Sequence, residues 1–445
     1  MNSAADYPAS QSFAGLAGAW PTDQWWKEYG DPQLDSLIEE ALRASPSLAS
    51  AQARFDRAAA QVQSARGSLA PSVDASVAAG KVKQSYNNGV PEAFVPHGWN
   101  TSASAALNLS WELDFWGKNR AAVAAVTSEA DAADADRAQA RLVLTTAIAS
   151  GYAELVRLHA ARATAQQALA LRRQTAVLFS ERQRSGLETV GSLRQVEARQ
   201  ALAEADLLAI DESISLQAHQ LAYLAGAGPD RALGITAPVL DLPAAIRIPS
   251  SLPAELIGRR PDIAAARARA QAMAQRIDEA RAAFYPNINL SAAIGFQSLG
   301  LDMLTKSGSL AGNAGPAVSL PVFNTSRLQG QYKGARADYD EAVASYNDTL
   351  AQALREVADA ATSQRMLSGR LDRTEAAVVA SEDAWHIMRN RYRGGLATYL
   401  EVLNAEDALL GNTRDLTALR TRMFALNVQM IRALGGGVTV TNGKE

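Results

Sequence analysis

The chain has 445 residues, a formal net charge of −3 and no cysteine. A nearly neutral chain favours neither a nucleic-acid partner nor a polyanionic tail. The lack of cysteine excludes disulfides, thiolate metal sites and a cysteine nucleophile within this sequence. No stretch approaches the roughly 18 consecutive apolar residues that a membrane-spanning helix needs.

The first segment, residues 1–33, is predicted to be an extended leader that carries Trp20, Trp25 and Trp26. Its first six residues lack the basic start and the apolar core of a signal peptide. Taken as it stands, the sequence predicts a cytosolic protein unless a targeting segment precedes it.

A helical segment from residue 46 is repeated 215 positions later, so that Pro46 opens the first copy and Pro261 the second. Residues 186–189, Gly-Leu-Glu-Thr, recur as residues 395–398, Gly-Leu-Ala-Thr, at an offset of 209. A period this long excludes a solenoid, whose units run about 20–50 residues. The chain is therefore predicted to be a tandem duplication of a helix-strand-strand-helix-helix unit.

The duplication divides the chain into five predicted segments. They are the leader, 1–33; a first repeat, 34–226, with a β-hairpin at 72–113 and a helical hairpin at 118–225; a linker, 227–257; a second repeat, 258–435, with a β-hairpin at 287–323 and a helical hairpin at 325–434; and a tail, 436–445.

Residues 105–113 and 287–296 alternate apolar and polar side chains with the period of two that is typical of strands. Residues 72–80 and 313–323 have a weaker pattern and are predicted to be their partner strands. Each is about the length that crosses a bilayer when tilted. The residues expected to face lipid are Leu107, Leu109, Ile288, Leu290 and Ile294. Four strands cannot close a barrel and an open edge is costly in lipid, so three chains giving twelve strands is the smallest odd-fold solution.

Aromatic residues cluster where the predicted strands meet the helices, at Trp111, Phe115, Trp116, Phe284, Tyr285 and Phe323. Barrels place aromatic girdles at that depth, but a strand–helix junction also has an aromatic core.

Beyond this junction, residues 118–185 and 325–393 contain no proline and repeat small or apolar residues in steps of three and four. This pattern predicts coiled-coil helices of about 100 Å, with a stutter near Gly151 in the first. Each ends at a glycine and leads into a second helix.

Seven motifs then follow one another along the chain. They are 111–117 (WELDFWG), 259–263 (RRPDI), 280–286 (ARAAFYP), 320–324 (LPVFN), 391–392 (RY), 399–406 (YLEVLNAE) and 433–437 (ALGGG). In this order and at these spacings, they resemble the outer membrane factor family of TolC-like efflux channels, and within it the lipoprotein branch related to NodT and OprM. The resemblance covers the chain from about residue 7.

The resemblance implies a mainly helical protein with a transmembrane β part. Three copies would form a twelve-stranded outer-membrane barrel continued by a long periplasmic α-helical barrel. Such a homotrimer is the exit duct of a tripartite efflux pump, joined to a periplasmic adaptor (membrane fusion) protein and an inner-membrane transporter of the resistance-nodulation-division type. Family lipoproteins begin at an acylated cysteine before a leader like residues 6–8, so a lipid anchor is expected on a cysteine outside this sequence.

The resemblance also assigns a role to the two glycine breaks as periplasmic tips that receive the adaptor's helical hairpin. The tip residues are Arg184, Gly186, Leu187, Glu188 and Thr189 in the first tip, and Arg393, Gly395, Leu396, Ala397 and Thr398 in the second. A glycine after a helix is also a common C-terminal cap, and arginine is favourable at a helix C-terminus without any partner.

Leu400, Glu401 and Asn404 share one side of the helix that follows the second tip, by their spacing. By family match they would narrow the pore, and three copies of Glu401 would form an acidic ring that binds cations. The alternative is a glutamate exposed on a solvated helix. Asn404 stands where relatives commonly carry an aspartate, so this ring is expected to hold less charge than theirs.

No enzyme is predicted. His97, His159, His219 and His386 are isolated in sequence and match no metal-binding motif, so no catalytic residue, metal or cofactor is expected. The competing hypothesis is a soluble coiled-coil scaffold or a periplasmic adaptor, whose long helices would look similar. The paired amphipathic strands argue against it.

Overall fold

The computed structural model describes residues 20–239 and 259–437, together with Met1 and Tyr7. The elements in chain order are α1 (Pro32–Ala44), α2 (Pro46–Gly67), β1 (Ser72–Val82), β2 (Asn100–Glu112), α3 (Lys118–Arg184), α4 (Val190–Leu224), α5 (Pro261–Ala282), β3 (Asn287–Leu299), β4 (Leu310–Ser319), α6 (Thr325–Arg393) and α7 (Tyr399–Leu434). The predicted repeat unit occurs twice, as α2-β1-β2-α3-α4 and as α5-β3-β4-α6-α7. Most of the predicted linker and tail and about half of the predicted leader lie outside the described residues, and the five segment boundaries stay predictions. In the described part of the leader, Trp25–Tyr29 forms a 3₁₀ helix and α1 begins at Pro32, so the prediction of an extended leader was wrong there.

The chain folds into two compact units. The helical unit comprises Met1–Ala53, Asp134–Ala265 and Asn347–Glu445, and the sheet unit comprises Arg54–Ala133 and Ala266–Tyr346. Among the described residues, no helix combines the length and the apolar character needed to cross a membrane.

The sheet unit contains one antiparallel sheet in the order β1-β2-β3-β4. Because β2 pairs with β3, the hairpins of the two repeats join into a single sheet. The prediction of a strand at 313–323 was wrong at both ends, since β4 spans Leu310–Ser319. Pro321 has no N–H to donate to a ladder, whereas Pro316 is tolerated because β4 lies at an edge of this sheet.

An aromatic cluster fills the core of the helical unit near its N-terminal segment. Trp25 and Tyr29 are buried there, and the Tyr29 ring lies 4.5 Å from that of Phe424 on α7. The Tyr152 hydroxyl on α3 donates to Asp31 Oδ2 at 2.6 Å. Because Asp31 also caps the start of α1, one carboxylate fixes α1 against α3.

The RRPDI motif forms a buried ionic junction in the helical unit. The Arg260 guanidinium contacts Asp262 at 2.6 Å and Glu356 of α6 at 2.8 Å, and it donates to the Ala433 carbonyl at 3.1 Å. Next to it, Gly435 ends α7 with a φ of 91°, where a Cβ would lie 2.9 Å from the Arg259 carbonyl oxygen. The sequence motifs at 259–263 and 433–437 are therefore two sides of one junction.

Gly151 lies at a close approach between α3 and α4 in the helical unit. A Cβ at this position would lie 2.9 Å from Gln217 Nε2 and 3.1 Å from Leu221, while Gln217 donates to the Gly151 carbonyl at 2.9 Å. A larger residue would therefore displace the side chains of Gln217 and Leu221 and break the hydrogen bond from Gln217. The predicted irregularity of the α3 seam near Gly151 coincides with this contact.

Candidate functional site

Both long helices end in the same backbone turn. Gly186 follows α3 with a φ of 71°, and Gly395 follows α6 with a φ of 72°. The Leu187 N–H donates to the Arg182 carbonyl and the Leu396 N–H to the Arg391 carbonyl, each at 2.8 Å. These are Schellman motifs, in which glycine takes the left-handed position without strain.

Two threonines then start the returning helices. Thr189 Oγ1 accepts from the Ser192 N–H at 3.1 Å at the start of α4, and Thr398 Oγ1 accepts from the Glu401 N–H at 3.4 Å at the start of α7. The glycine and threonine of each predicted tip thus have capping roles that need no partner protein.

The two tips are held together within the helical unit by Tyr392, near the end of α6. Its ring stacks on Phe179 of α3 with 5.3 Å between centroids, and its hydroxyl bonds to the carboxylate of Glu188. Arg182 lies over the same ring at 4.5 Å. Burial, followed by the bond to Glu188, raises the pKa of the Tyr392 hydroxyl, which stays a donor to that carboxylate.

Two leucines at the tips are exposed. In a Schellman motif the residue after the glycine often packs back on the helix, but Leu187 is 64% exposed and Leu396 is 72% exposed. Arg184 and Arg393, which end the two long helices, are also exposed, whereas Ala397 is half-buried. The tips therefore present apolar and basic side chains that the helical unit itself does not cover.

Leu400, Glu401 and Asn404 lie on the exposed side of α7, opposite the buried Val402 and Leu403. Glu401 also completes a capping box, because its carboxylate accepts from the Thr398 N–H at 2.6 Å and from the Thr398 hydroxyl at 2.8 Å. These hydrogen bonds, the one from the backbone first, lower the pKa of Glu401 and keep it ionised. We call Leu400, Glu401 and Asn404 the gate residues.

An ion cluster around the buried Glu406, further along α7, was not predicted from the sequence. Glu406 is fully buried and contacts Arg172 of α3 at 2.7 Å, while its other oxygen accepts from Thr175 at 2.8 Å. Asp407 contacts Arg172 and also Arg199 of α4 at 2.5 Å. The cluster joins the helix that carries the gate residues to both helices of the first hairpin.

The two carboxyl groups of this cluster shift in opposite directions, because burial prevails at Glu406 and the arginines prevail at Asp407. Burial raises the pKa of Glu406, although Arg172 and Thr175 favour the charged form. Burial also opposes ionisation of Asp407, but hydrogen bonds from Arg172 and Arg199 outweigh it and lower the pKa of that carboxyl. A sequence signal existed, because Glu406 continues the buried spacing of Tyr399, Val402 and Leu403.

The sheet has an apolar face that includes every residue predicted to face lipid. Cross-strand partners lie on the same face, so the register aligns these side chains in rows. The rows are Val73–Leu109–Ala292–Ala314, Ala75–Leu107–Ile294–Gly312, Val77–Ala105–Phe296–Leu310, Trp111–Leu290–Pro316 and Ile288–Val318. Leu107 and Ile294 are more than half exposed. The opposite, polar face carries hydrogen-bonded pairs instead, with Asn108 donating to Ser76 at 2.9 Å and Asn289 donating to Ser110 at 3.2 Å.

Aromatic residues mark the end of the sheet at which the helices attach. Trp116 stacks on Tyr285 with 4.7 Å between centroids and donates to the Pro286 carbonyl at 2.9 Å. Trp111 donates to the Leu69 carbonyl at 3.1 Å. Phe115 and Phe323 are exposed. Trp116 thus combines an exposed ring with an anchored N–H, and Trp111 does so with a partly exposed ring, as residues of a membrane interface do.

Comparison with known proteins identifies relatives over nearly the whole chain. The family described as "Outer membrane efflux protein" matches residues 37–227 and 252–436. The chain is 32% identical to the fusaric acid resistance protein FusA of Burkholderia cepacia, over 98% of this chain and 82% of that protein. It is 31% identical to the multidrug resistance outer membrane protein MdtP of Escherichia coli, over 95% and 88% respectively. The crystal structure of the outer membrane protein VceC from Vibrio cholerae superposes with a TM-score of 0.89 at 48% identity, over 94% of this chain and all of that one.

Proposed function

The chain belongs to the outer membrane efflux protein family, and from that membership we propose how its sheet, tips and gate residues act in efflux. It is an outer membrane channel with the TolC-like fold, the exit duct of a tripartite efflux pump that extends into the periplasm. The predicted fold class, function and location are thereby confirmed, and the relatives favour the channel over a periplasmic adaptor. The expected lipid anchor and the lack of enzymatic activity stay predictions.

The proposal that the sheet lies in the membrane rests on its apolar face. Burying Leu107 and Ile294 against lipid removes from water the surface that the sheet unit leaves exposed. The edges of β1 and β4 must pair with those of other copies, because unpaired backbone groups cost several kcal/mol each in hydrocarbon. A homotrimer with twelve strands meets both requirements.

The tips are the proposed docking site for a periplasmic adaptor, and the transporter beyond it is of the resistance-nodulation-division type. Leu187 and Leu396 support this because each is exposed at a rigid, doubly capped turn. Burying both in a helical groove would contribute about 1.5–3 kcal/mol per side chain. Arg184 and Arg393 add positive charge beside them.

We expect Leu187→Glu combined with Leu396→Glu to weaken adaptor binding by at least about a hundredfold, since two buried leucines contribute about 3 kcal/mol or more. Binding is measured with the detergent-solubilised chain on each periplasmic adaptor encoded by the same genome. Leu233→Glu is the matched control, because Leu233 is exposed in a 3₁₀ turn after α4 rather than at a tip. Unchanged affinity in the double variant would remove the tips from the docking site.

The gate residues are proposed to converge around the three-fold axis and to narrow the pore, with Glu401 from each copy forming an acidic ring. Leu400→Ala with Glu401→Gln removes bulk and charge while glutamine still accepts the hydrogen bond from Thr398. We expect a higher single-channel conductance in planar bilayers and weaker block by divalent cations.

Thr398→Ala is the control for the gate experiment. It breaks the cap of α7, at a cost of about 1 kcal/mol, without changing the charge or bulk of the gate residues. If this variant alone reproduces the rise in conductance, the cap rather than the ring controls opening. If neither variant changes conductance or divalent block, Leu400, Glu401 and Asn404 are not the gate.

A further inference from the structure

One lysine lies on the apolar face at the end of β1, and a second lysine follows just beyond the strand. Side chains alternate along a strand, so Lys81 lies on the same face as Val77 and Ala79, and Lys83 follows two residues later. Both lysines are exposed. The apolar face therefore ends in positive charge at the end of the sheet away from the helices.

An exposed tryptophan lies at the same level. The register pairs Lys81 with Thr101, and Trp99, two residues before Thr101 in the chain, is 69% exposed. Phe94, in the loop between β1 and β2, is also exposed. Lysine and tryptophan at the border of an apolar face are typical of the interface between hydrocarbon and headgroups, where the lysine stem packs on apolar surface and the ammonium reaches polar groups.

The length of the strands sets the depth of these residues. Trp111 and Thr101 are both on the apolar face of β2, and they lie at the two ends of the apolar residues on that face. Ten residues at about 3.3 Å each, tilted by about 40°, span roughly 25 Å, which is the height of the apolar band of an outer-membrane barrel. With Trp111 at the near interface, Lys81 and Lys83 lie at the far one.

In the part of the chain that the structure describes, the positive charge of these two lysines is not balanced by an acidic side chain. Within residues 20–239 and 259–437, no carboxylate forms an ion pair with Lys81 or Lys83, and the only acidic residue of the β1–β2 loop is the exposed Glu92. In the β3–β4 hairpin, Lys306 lies 3.9 Å from Asp302, so that lysine is already partly balanced. Lys81 and Lys83 thus form an unbalanced pair of cations, repeated in each copy of the chain.

We propose that Lys81 and Lys83 bind phosphate groups of the glycolipid of the outer leaflet, with Trp99 resting at the same headgroup level. The inference rests on the proposed membrane placement of the sheet, with its hairpin loops directed outward. Charge complementarity selects this occupant, because the outer-leaflet lipid A presents phosphates on a sugar headgroup directly above its acyl chains. Bound lipid would cover the outer border of the apolar face.

The test measures binding of diphosphoryl lipid A to the full chain in a neutral detergent. Each lysine near an anionic surface contributes about 1 kcal/mol, so Lys81→Gln with Lys83→Gln should lower the affinity roughly 25-fold. Lys81→Arg with Lys83→Arg should retain it. Lys333→Gln replaces an exposed lysine of α6 and removes one positive charge at the other end of the sheet unit, and it should have no effect.

Two results would overturn the proposal. The first is unchanged lipid A affinity in the double glutamine variant, and the second is equal affinity of the unaltered chain for dephosphorylated lipid A, which would assign the contact to Trp99 and Phe94 alone. Outer-membrane fractionation of the unaltered chain separates this failure from that of the channel. If the chain is found in that fraction but its binding of lipid A does not depend on the phosphates, the lipid site is wrong and the channel assignment stands. If the chain is missing from that fraction, both are wrong.

Discussion

Replacing Arg260 by alanine is expected to lower the free energy of unfolding by up to about 3–5 kcal/mol, because it leaves two half-buried carboxylates without their cation. Arg260 is almost fully buried, and it contacts Asp262, Glu356 and the Ala433 carbonyl from one guanidinium. The variant therefore loses the contacts that join the start of α5 to α6 and to the end of α7. Urea titration followed by far-UV circular dichroism measures the change.

Arg260→Lys should recover only part of this stability, since an ammonium cannot make the forked contacts of a guanidinium. Arg281→Ala is the matched control, at the opposite end of α5 from Arg260. Its partner, Asp278, is one turn away at 3.3 Å and both side chains are more than half exposed, so the expected loss is below about 0.5 kcal/mol. Equal losses in Arg260→Ala and Arg281→Ala would mean that the RRPDI junction does not stabilise the fold.

Ile294→Arg is expected to cost about 2–4 kcal/mol when the protein is in a bilayer, because it places a cation near the hydrocarbon midplane. Ile294 is near the middle of β3, on the apolar face between Leu107 and Gly312. Ala293→Arg makes a similar insertion one residue away, on the polar face, and should be tolerated. Guanidinium titration of both variants in lipid bilayers measures the difference.

Leu290→Arg, on the same face, should have a smaller effect than Ile294→Arg. Leu290 pairs with Trp111 at the helix end of the sheet, where an arginine can reach the interface. Equal damage from Ile294→Arg and Ala293→Arg would show that the two faces of the sheet do not differ in environment.

Local signals in the sequence predicted the helices and the starts of two strands. Pro71 and Pro286 mark the change from helix to strand, and β1 and β3 begin at Ser72 and Asn287 as expected. The full lengths of β2 and β4 could not be predicted from the sequence. Residues 100–104 of β2 are mostly polar, and the ladder to β1 rather than an apolar pattern makes them a strand.

The tips and the ion cluster show what sequence spacing can and cannot reveal. Gly186 and Thr189 are recognisable as helix caps because capping depends on neighbours in sequence. Glu406 requires Arg172, which is 234 positions away, and nothing local specifies that the two meet. A glutamate at a core position of an amphipathic helix indicates a buried partner, but only the fold identifies the partner.

Native mass spectrometry of the chain extracted from outer membranes in detergent tests the trimeric channel most directly. The edges of β1 and β4 and the exposed apolar face of the sheet require closure with other copies. The expected result is a stable complex of three copies that binds detergent and dissociates only when the strands unfold. A stable monomer that retains its strand content would contradict the twelve-stranded barrel, and with it the account of the gate and the tips as parts of a single duct.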